Sequence, residues 1–360
     1  MSKHRTRKRA GAESMHRSGF VSILGRPNAG KSTLVNTLVG QKIAIVTDKP
    51  QTTRTSIQGV WTSEAAQIVF LDTPGIHDAA SPINRRMMKA VASALDGRDL
   101  LLFVADATRE PRPEDQLALE WVKRSQTPAF AVLNKVDLLS DKGLLLPLTE
   151  AYKGWHEFEE FFPVSAQTGE GVEQLRAAII QRLPLGPACF PADYLTDQPE
   201  RFLVAEAIRE KVLLVTRQEV PHSVAVTIED WAETPRLVKI AATIHVERSG
   251  QKPIVIGAAG ARLKEIGTQA RGDAETLLGK KVFLQLFVKV SEKWREREEF
   301  LNQLDWRTAS PPPAPPVLGE TMDSRTAPPA LAETMDAPTV PPAPAETTGS
   351  TAGGNEHNGE

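Results

Sequence analysis

A short apolar run, Phe20–Leu24, leads straight into Gly25-Arg26-Pro27-Asn28-Ala29-Gly30-Lys31-Ser32, and a helical pattern over Ser32–Val39 follows, closed by Gly40. This junction constrains the chain more than any other feature. A strand that ends on a glycine-bounded loop at a helix N-terminus aims several backbone N–H groups at one point. Gly25 and Gly30 let the loop curl, and Lys31 adds a cation. Such a cradle holds the phosphates of a nucleotide, with Lys31 on the β- and γ-phosphates and the Ser32 hydroxyl on Mg²⁺. Arg26, Pro27, Asn28, Ala29 and Thr33 complete the expected lining. The loop alone does not choose between ATP and GTP.

Three later motifs make that choice. Asp72-Thr73-Pro74-Gly75-Ile76 follows the apolar run Ile68–Leu71. The Asp72 carboxylate is expected beside the metal, and the Gly75 N–H is expected on a γ-phosphate that is lost on hydrolysis. Asn134-Lys135-Val136-Asp137 follows Ala129–Leu133. Guanine presents two donors along one edge, and the Asp137 carboxylate accepts both. Adenine lacks one of them and would leave the carboxylate unpaired. Asn134 is expected to hold the base and its loops, and the Lys135 stem to cover one face of the base. In Ser165-Ala166, the Ala166 N–H is expected to meet the guanine O6.

Between the first two motifs lies Lys49-Pro50-Gln51-Thr52-Thr53-Arg54, a polar stretch that reads as a switch loop. Its threonine should complete the Mg²⁺ shell with Ser32 and Asp72. Thr53 is the first choice and Thr52 the alternative. Ile76 stands where many GTPases carry a water-orienting glutamine, and an aliphatic side chain cannot polarise water. The Pro27-Asn28 step points instead to a monovalent cation, K⁺, held with the help of Asn28 near the β–γ bridge. Lys31, Asn28 and Thr53 are therefore the expected catalytic group.

Buried runs, including Leu100–Ala105, alternate with helical patterns over about 84–95, 113–125 and 172–183. This alternation predicts a mostly parallel sheet covered by helices on both faces. Residues 184–199 hold four prolines and read as an interdomain linker. Beyond it the pattern predicts a helix over about 202–214, strands over 223–229 and 237–246, and Gly257-Ala258-Ala259-Gly260 at the start of a helix. A second helix is expected to end near Leu278, before a last strand over 282–290. A G-x-x-G loop between helices in the order α-β-β-α-α-β is the plan of a KH domain, which clamps about four nucleotides of RNA. Arg262 and Lys264 would add cations beside Gly257, Ala258, Ala259 and Gly260.

The 360 residues thus divide into a basic tail over 1–18, a nucleotide domain over 19–185, a linker over 186–200, a KH domain over 201–307 and a Pro-rich acidic tail over 308–360. The net charge of −2 hides a segregation between the tails. The first tail carries six Lys and Arg against Glu13, which suits RNA or acidic lipid. The last carries seven acidic residues against Arg325, with eleven prolines. A lone cysteine, Cys189, builds no internal disulfide and fits a reducing compartment.

Taken together, these motifs resemble the Era family of bacterial GTPases, which join a P-loop GTPase domain to a type II KH domain. The likeness spans about Phe20 to Arg307. It includes Gln51-Thr52-Thr53-Arg54, Ile208-Arg209-Glu210-Lys211, Pro221-His222-Ser223-Val224, Leu263-Lys264-Glu265-Ile266-Gly267 and Trp294-Arg295. The resemblance implies a GTP/GDP switch that binds the 3′ end of 16S rRNA and assists 30S subunit assembly. It implies a monomer in the cytoplasm, associated peripherally with the inner face of the membrane. A modification GTPase of the same class, or an RNA chaperone that merely holds GTP, are the competing readings. One departure stands out: a Lys is usual at the second position of the family's G-x-x-G, and Ala258 fills it here. Weaker RNA affinity with a shallower salt dependence is expected.

Overall fold

A computed structural model describes residues 16–49, 51–76, 81–216 and 220–307. The two tails, Pro50, residues 77–80 and residues 217–219 lie outside this description. The readings made for most of 1–18 and for all of 308–360 therefore fall there.

The N-terminal part is built on strands β1 (Arg17–Leu24), β2 (Ile57–Thr62), β3 (Ala66–Asp72), β4 (Leu100–Asp106), β5 (Ala129–Asn134) and β6 (Glu160–Val164). Helices α1 (Lys31–Val39), α2 (Pro82–Leu95), α3 (Pro113–Ser125), α4 (Leu145–Lys153) and α5 (Val172–Arg182) cover them. The sheet order is β2-β3-β1-β4-β5-β6, parallel throughout except for β2, which runs antiparallel to β3. Every residue of β4 and β5 is buried, as a strand covered on both faces requires. One core packs Ile23, Val104 and Val132 against Leu34 of α1 and Leu175 of α5. The other packs Leu101 and Phe103 against Val91, Leu119 and Tyr152 of α2, α3 and α4.

β1 starts at Arg17, so Arg17 and Ser18 belong to the sheet and not to the basic tail. Their backbone pairs with Ala66 and Gln67 of β3. Strands β2 and β6 and helix α4 are additions to the elements expected from sequence. The linker is also more ordered than its prolines suggest. Gln67 holds it, accepting from the N–H groups of Cys189 and Phe190 and donating to the Phe190 carbonyl. Val60 donates to Leu195 O, and Thr196 Oγ1 to Gln58 O.

The C-terminal part runs α6 (Glu200–Val215), α7 (Val220–Ser223), β7 (Ala225–Glu233), β8 (Leu237–Val246), α8 (Gln251–Ile256), α9 (Ala261–Leu278), β9 (Lys281–Val290) and α10 (Glu298–Leu304). The sheet order is β7-β8-β9, with β8 parallel to β9. Val204 and Ile208 of α6 and Ile266 and Ala270 of α9 bury one face of it against Ile240 and Ile244. The expected strand start at Ser223 is a helical turn instead. The two helices expected after Gly260 are one helix of 18 residues. Gly267 and Gly272 do not break it, because neither leaves helical geometry.

Candidate GTP site and RNA clamp

The C-terminal ends of β1, β3, β5 and β6 bring the four nucleotide motifs to one edge of the sheet, where open α/β sheets bind ligands. Two glycines of the loop are sterically obligatory. A Cβ at Gly25 would lie 2.3 Å from Val104 O, and one at Gly30 would lie 2.2 Å from Asn134 Nδ2. Gly30 adopts φ 94° as the N-cap of α1, which leaves the first N–H groups of the helix pointing into the cradle. Lys31 Nζ donates to the carbonyls of Gly25 and Arg26, each at 3.0 Å. Burial lowers its pKa to about 8, so it is a poorly solvated cation that a phosphate would stabilise.

Ser32, Thr53 and Asp72 converge. Ser32 Oγ donates to Asp72 Oδ2 at 2.6 Å and lies 2.8 Å from Thr53 Oγ1. Thr53 Oγ1 is 3.5 Å from the same carboxylate oxygen. Burial pushes the Asp72 carboxyl up to about 6, and Asp72 Oδ1 is buried without a hydrogen-bond partner. Hard oxygen donors around an unsatisfied buried carboxylate fit Mg²⁺. Thr52 is turned away, with its hydroxyl on Lys49 O and Thr47.

Thr73 Oγ1 donates to Ile23 O at 2.6 Å and fixes the start of the following loop. Gly75 lies against Pro27, where a Cβ would meet Pro27 Cγ at 2.8 Å. Ile76 is buried in the core beside Leu24 and Val91 and offers nothing to a water molecule. Asn28 sits at φ 61° and donates from Nδ2 to Asp48 O at 2.7 Å.

At the base end, Asn134 ties two loops together. It donates to Ala29 O and accepts from Ala166 N–H, both at 2.9 Å. The Ala166 N–H, expected to face guanine O6, is satisfied by Asn134 instead, so an incoming O6 has to share or displace that bond. Lys135 adopts φ 71° and lays Nζ on Asn28 O at 2.7 Å and on Asp106 Oδ2 at 2.8 Å. Asp137 stands exposed on the turn Val136–Leu138.

Sequence reasoning missed the support behind this row. Arg26 is buried and bridges Asp106 at 3.2 Å and Asp115 at 3.3 Å. Burial alone would raise the Asp106 carboxyl, but hydrogen bonds from Lys135 and Thr108 outweigh it and hold the group below its usual range. Asp106 ends β4 just as Asp72 ends β3, and that parallel was the available signal.

The switch loop does not float free. Arg54 Nη1 donates to Val224 O at 2.7 Å, Nη2 donates to His222 O at 3.3 Å, and the guanidinium lies over the Trp294 ring at 5.3 Å from its centre. Burial brings its pKa down to about 9. Arg209 of α6 donates to Thr52 O, and Glu210 accepts from Val46 N–H at 2.8 Å and from Lys42 at 2.6 Å. Arg307 reaches Thr55 Oγ1 and Ser56 O, each at 3.0 Å.

In the KH-like part, Gly257 adopts φ 74°, ψ 177°, and a Cβ there would lie 2.7 Å from Arg262 Cβ. Ala259 is at φ 47° and Gly260 at φ 79°. Ala258, Ala259 and Lys264 are exposed, and Arg262 is half-buried and donates to Ile254 O at the surface. The loop offers backbone donors at the start of α9, with Lys264 as an exposed cation downstream and Lys252 as one upstream.

Fold and site together define a P-loop GTPase joined to a type II KH domain. The 50S ribosome-binding GTPase family matches residues 20–135, and the KH domain family matches residues 219–295. GTPase Era of Geobacter metallireducens is 50% identical over 292 residues, which span 81% of this chain and 98% of that protein. GTPase Era of Syntrophus aciditrophicus is 47% identical over 298 residues, spanning 82% and 97%. Two solved structures superpose well: a point variant of Aquifex aeolicus Era bound to GDP·AlF4⁻, and Era in complex with MgGDPNP and nucleotides 1506–1542 of 16S ribosomal RNA. Each is 40% identical and covers 80% of this chain and 98% of its own, with TM-scores of 0.77 and 0.78. The chain belongs to the Era family. It is a GTP-binding and GTP-hydrolysing switch that carries a KH domain. No helix among the described residues is long and apolar enough to cross a membrane.

Proposed function

We propose that this chain couples the nucleotide it holds to its grip on the 3′ end of 16S rRNA, and so assists 30S subunit assembly. One observation carries the reading: neighbouring switch residues face the two halves of the molecule. Thr53 joins Ser32 and Asp72 in the metal triangle, and Arg54 is buried against Val224, His222 and Trp294 of the KH domain. Anything that moves Thr53 therefore strains the Arg54 anchor. The complex of a relative with 16S rRNA nucleotides 1506–1542 supports the choice of RNA.

Gly25 to Thr33 would bind the phosphates, with Lys31 countering the charge that develops on the β–γ bridge. Ser32, Thr53 and Asp72 would hold Mg²⁺, which supplies Lewis-acid charge at the transferred phosphoryl group. Asp137 would read the base, with Asn134, Lys135, Ser165 and Ala166 shaping its pocket. Because Ile76 is buried, Asn28 is assigned to a bound K⁺; its side-chain amide is anchored through Nδ2 on Asp48 O, which leaves Oδ1 for the cation. Gly257 to Gly260, with Arg262 and Lys264, would clamp the RNA. A monomer in the cytoplasm, resting at times on the inner membrane face, completes the proposal.

Two measurements test it. GTP turnover should be faster in K⁺ than in Na⁺ buffer, and equal rates would remove the cation from the account. Gly257→Asp should abolish rRNA binding and spare GTP binding, because the new Cβ meets Arg262 and the new charge repels phosphate. Retained RNA affinity would refute the clamp.

A further inference from the structure

The KH sheet has a second face, opposite α6 and α9, that is covered only in part. On β9, Val282, Leu284, Leu286, Val288 and Val290 point into the core, so Phe283, Gln285, Phe287 and Lys289 point outward. Phe283 is 52% exposed and Phe287 56%. At the far end of this face α10 provides cover, with Phe300 edge-on to His245 at 4.8 Å. The half that holds the two phenylalanines stays open.

The surroundings of these rings indicate what they bind. Lys239 sits beside Phe283 in register on β8, and Lys281 and Lys289 lie at the two ends of the β9 row. All three lysines are exposed, and Lys239 and Lys289 have no ion pair among the described residues. Lys281 is paired with Glu275 of α9 at 3.6 Å, which leaves Lys239 and Lys289 as the unpaired cations of the row, while Glu229 and Asp230 are on β7, at the opposite edge of the sheet. A polyanion is therefore drawn along β8 and β9 and repelled from β7. Phe283 and Phe287 are separated by four residues, about 13 Å of strand. Gln285 lies between them with an amide that can donate and accept. Exposed rings interleaved with cations and an amide on a sheet form a stacking platform for single-stranded nucleic acid.

We propose that this open face is a second contact for single-stranded RNA, with Phe283 and Phe287 stacking bases and Gln285 bonding a base between them. The proposal rests on the reading of the KH domain as an RNA clamp and extends the RNA path beyond it. The two surfaces are neighbours at one end of β9. The first turns of α9 cross the second half of the strand, where Gly267 lies against Leu286, and Gly257–Gly260 stands at the start of that helix. An RNA leaving the loop near Lys289 can turn the edge of the sheet onto Phe287.

The test uses the full chain with Mg²⁺, a non-hydrolysable GTP analogue and a labelled RNA of 16S nucleotides 1506–1542. Phe283→Ala with Phe287→Ala should weaken binding at least about tenfold, with the salt dependence unchanged because no cation is removed. Basal GTP hydrolysis should stay at the wild-type level. Phe283→Tyr with Phe287→Tyr, which keeps the rings, should bind as wild type, and Phe283→Leu with Phe287→Leu should be as weak as the alanine pair. Unchanged affinity in the alanine variant, or wild-type affinity in the leucine variant, would overturn the stacking assignment. A wild-type dimer in sedimentation that the alanine variant dissolves would also overturn it, since the face would then serve a second copy. A failed clamp is distinguishable: Gly257→Asp would then bind normally whatever the phenylalanines do.

Discussion

Asp137 and Asp106 show how single carboxylates divide the work at the base end. Asp137 is exposed on its turn and, as the proposed base reader, would accept two donors from guanine, while Asp106 is buried and occupied with Lys135, Arg26 and Thr108. Asp137→Asn should replace one acceptor with a donor. GTP affinity should fall by at least about a hundredfold, as expected for two charge-assisted bonds, and xanthosine triphosphate should be preferred. Nucleotide competition in a fluorescence titration checks this, and an unchanged preference would remove Asp137 from the role. Ala258 is a second residue with a clear consequence. It is exposed in the RNA loop, so Ala258→Lys should add one phosphate contact, raise RNA affinity and steepen the log K against log salt slope by about 0.7. His245 is the third. It is buried between Thr227 and Ser291, each at 2.8 Å, and burial lowers its pKa to about 4. The unfolded chain takes up this proton near pH 6.5, before the folded chain does. The stabilisation is therefore complete above pH 6.5 and is lost as pH falls towards 4, by roughly 3 kcal/mol at most. An imidazole proton resonance that titrates near 6.5 would contradict this.

Among the elements, those with uninterrupted apolar patterns were legible: α3 and β8 lie where the sequence places them, and β4 and β5 run one residue further. The elements missed carry residues that usually argue against them. β2 has Gly59 at its centre, where a Cβ would crowd Ile43 Cδ1 at 2.3 Å and Val39 Cγ2 at 2.8 Å, so the glycine lets α1 and the segment after it pack close to the strand. β6 contains Pro163 and survives because it is the edge of the sheet, where a missing donor costs little. α4 contains Pro147 in its first turn, where helix N–H groups have no partner within the helix. The nucleotide motifs were legible because each is local. The switch anchors were not, because Arg209 and Glu210 look like the solvent face of a helix and are 2% and 3% exposed against a loop more than 150 residues away. The switch loop is the element on which the coupling depends. Arg54→Ala should leave GTP binding intact, since the guanidinium is turned to Val224, His222 and Trp294 of the KH domain. RNA affinity should then stop depending on the nucleotide, and a difference between the GTP-analogue and GDP forms that persists would show that the coupling runs through another contact.

The whole molecule shows the same phosphate logic twice. In each domain a glycine-bounded loop exposes backbone donors at a helix start, Gly30 before α1 and Gly260 before α9; in the proposed function the first would take a nucleotide and the second RNA. Under the proposed function Lys31, the Mg²⁺ ligands and, on a separate turn, Asp137 would make the N-terminal site selective. In the proposed RNA path Lys264 would add a cation to the C-terminal loop, and Phe283 and Phe287 would add stacking rings on its sheet. Between them, the segment from Lys42 to Ser56 is held by Glu210, Arg209, Val224 and Arg307 of the C-terminal part, so the loop that carries Thr53 is anchored on the KH half. The most direct test is RNA affinity in two nucleotide states, measured on the full chain with 16S nucleotides 1506–1542 and Mg²⁺. Tight binding with a non-hydrolysable GTP analogue and weaker binding with GDP is the predicted result. Equal affinity in both states would contradict it.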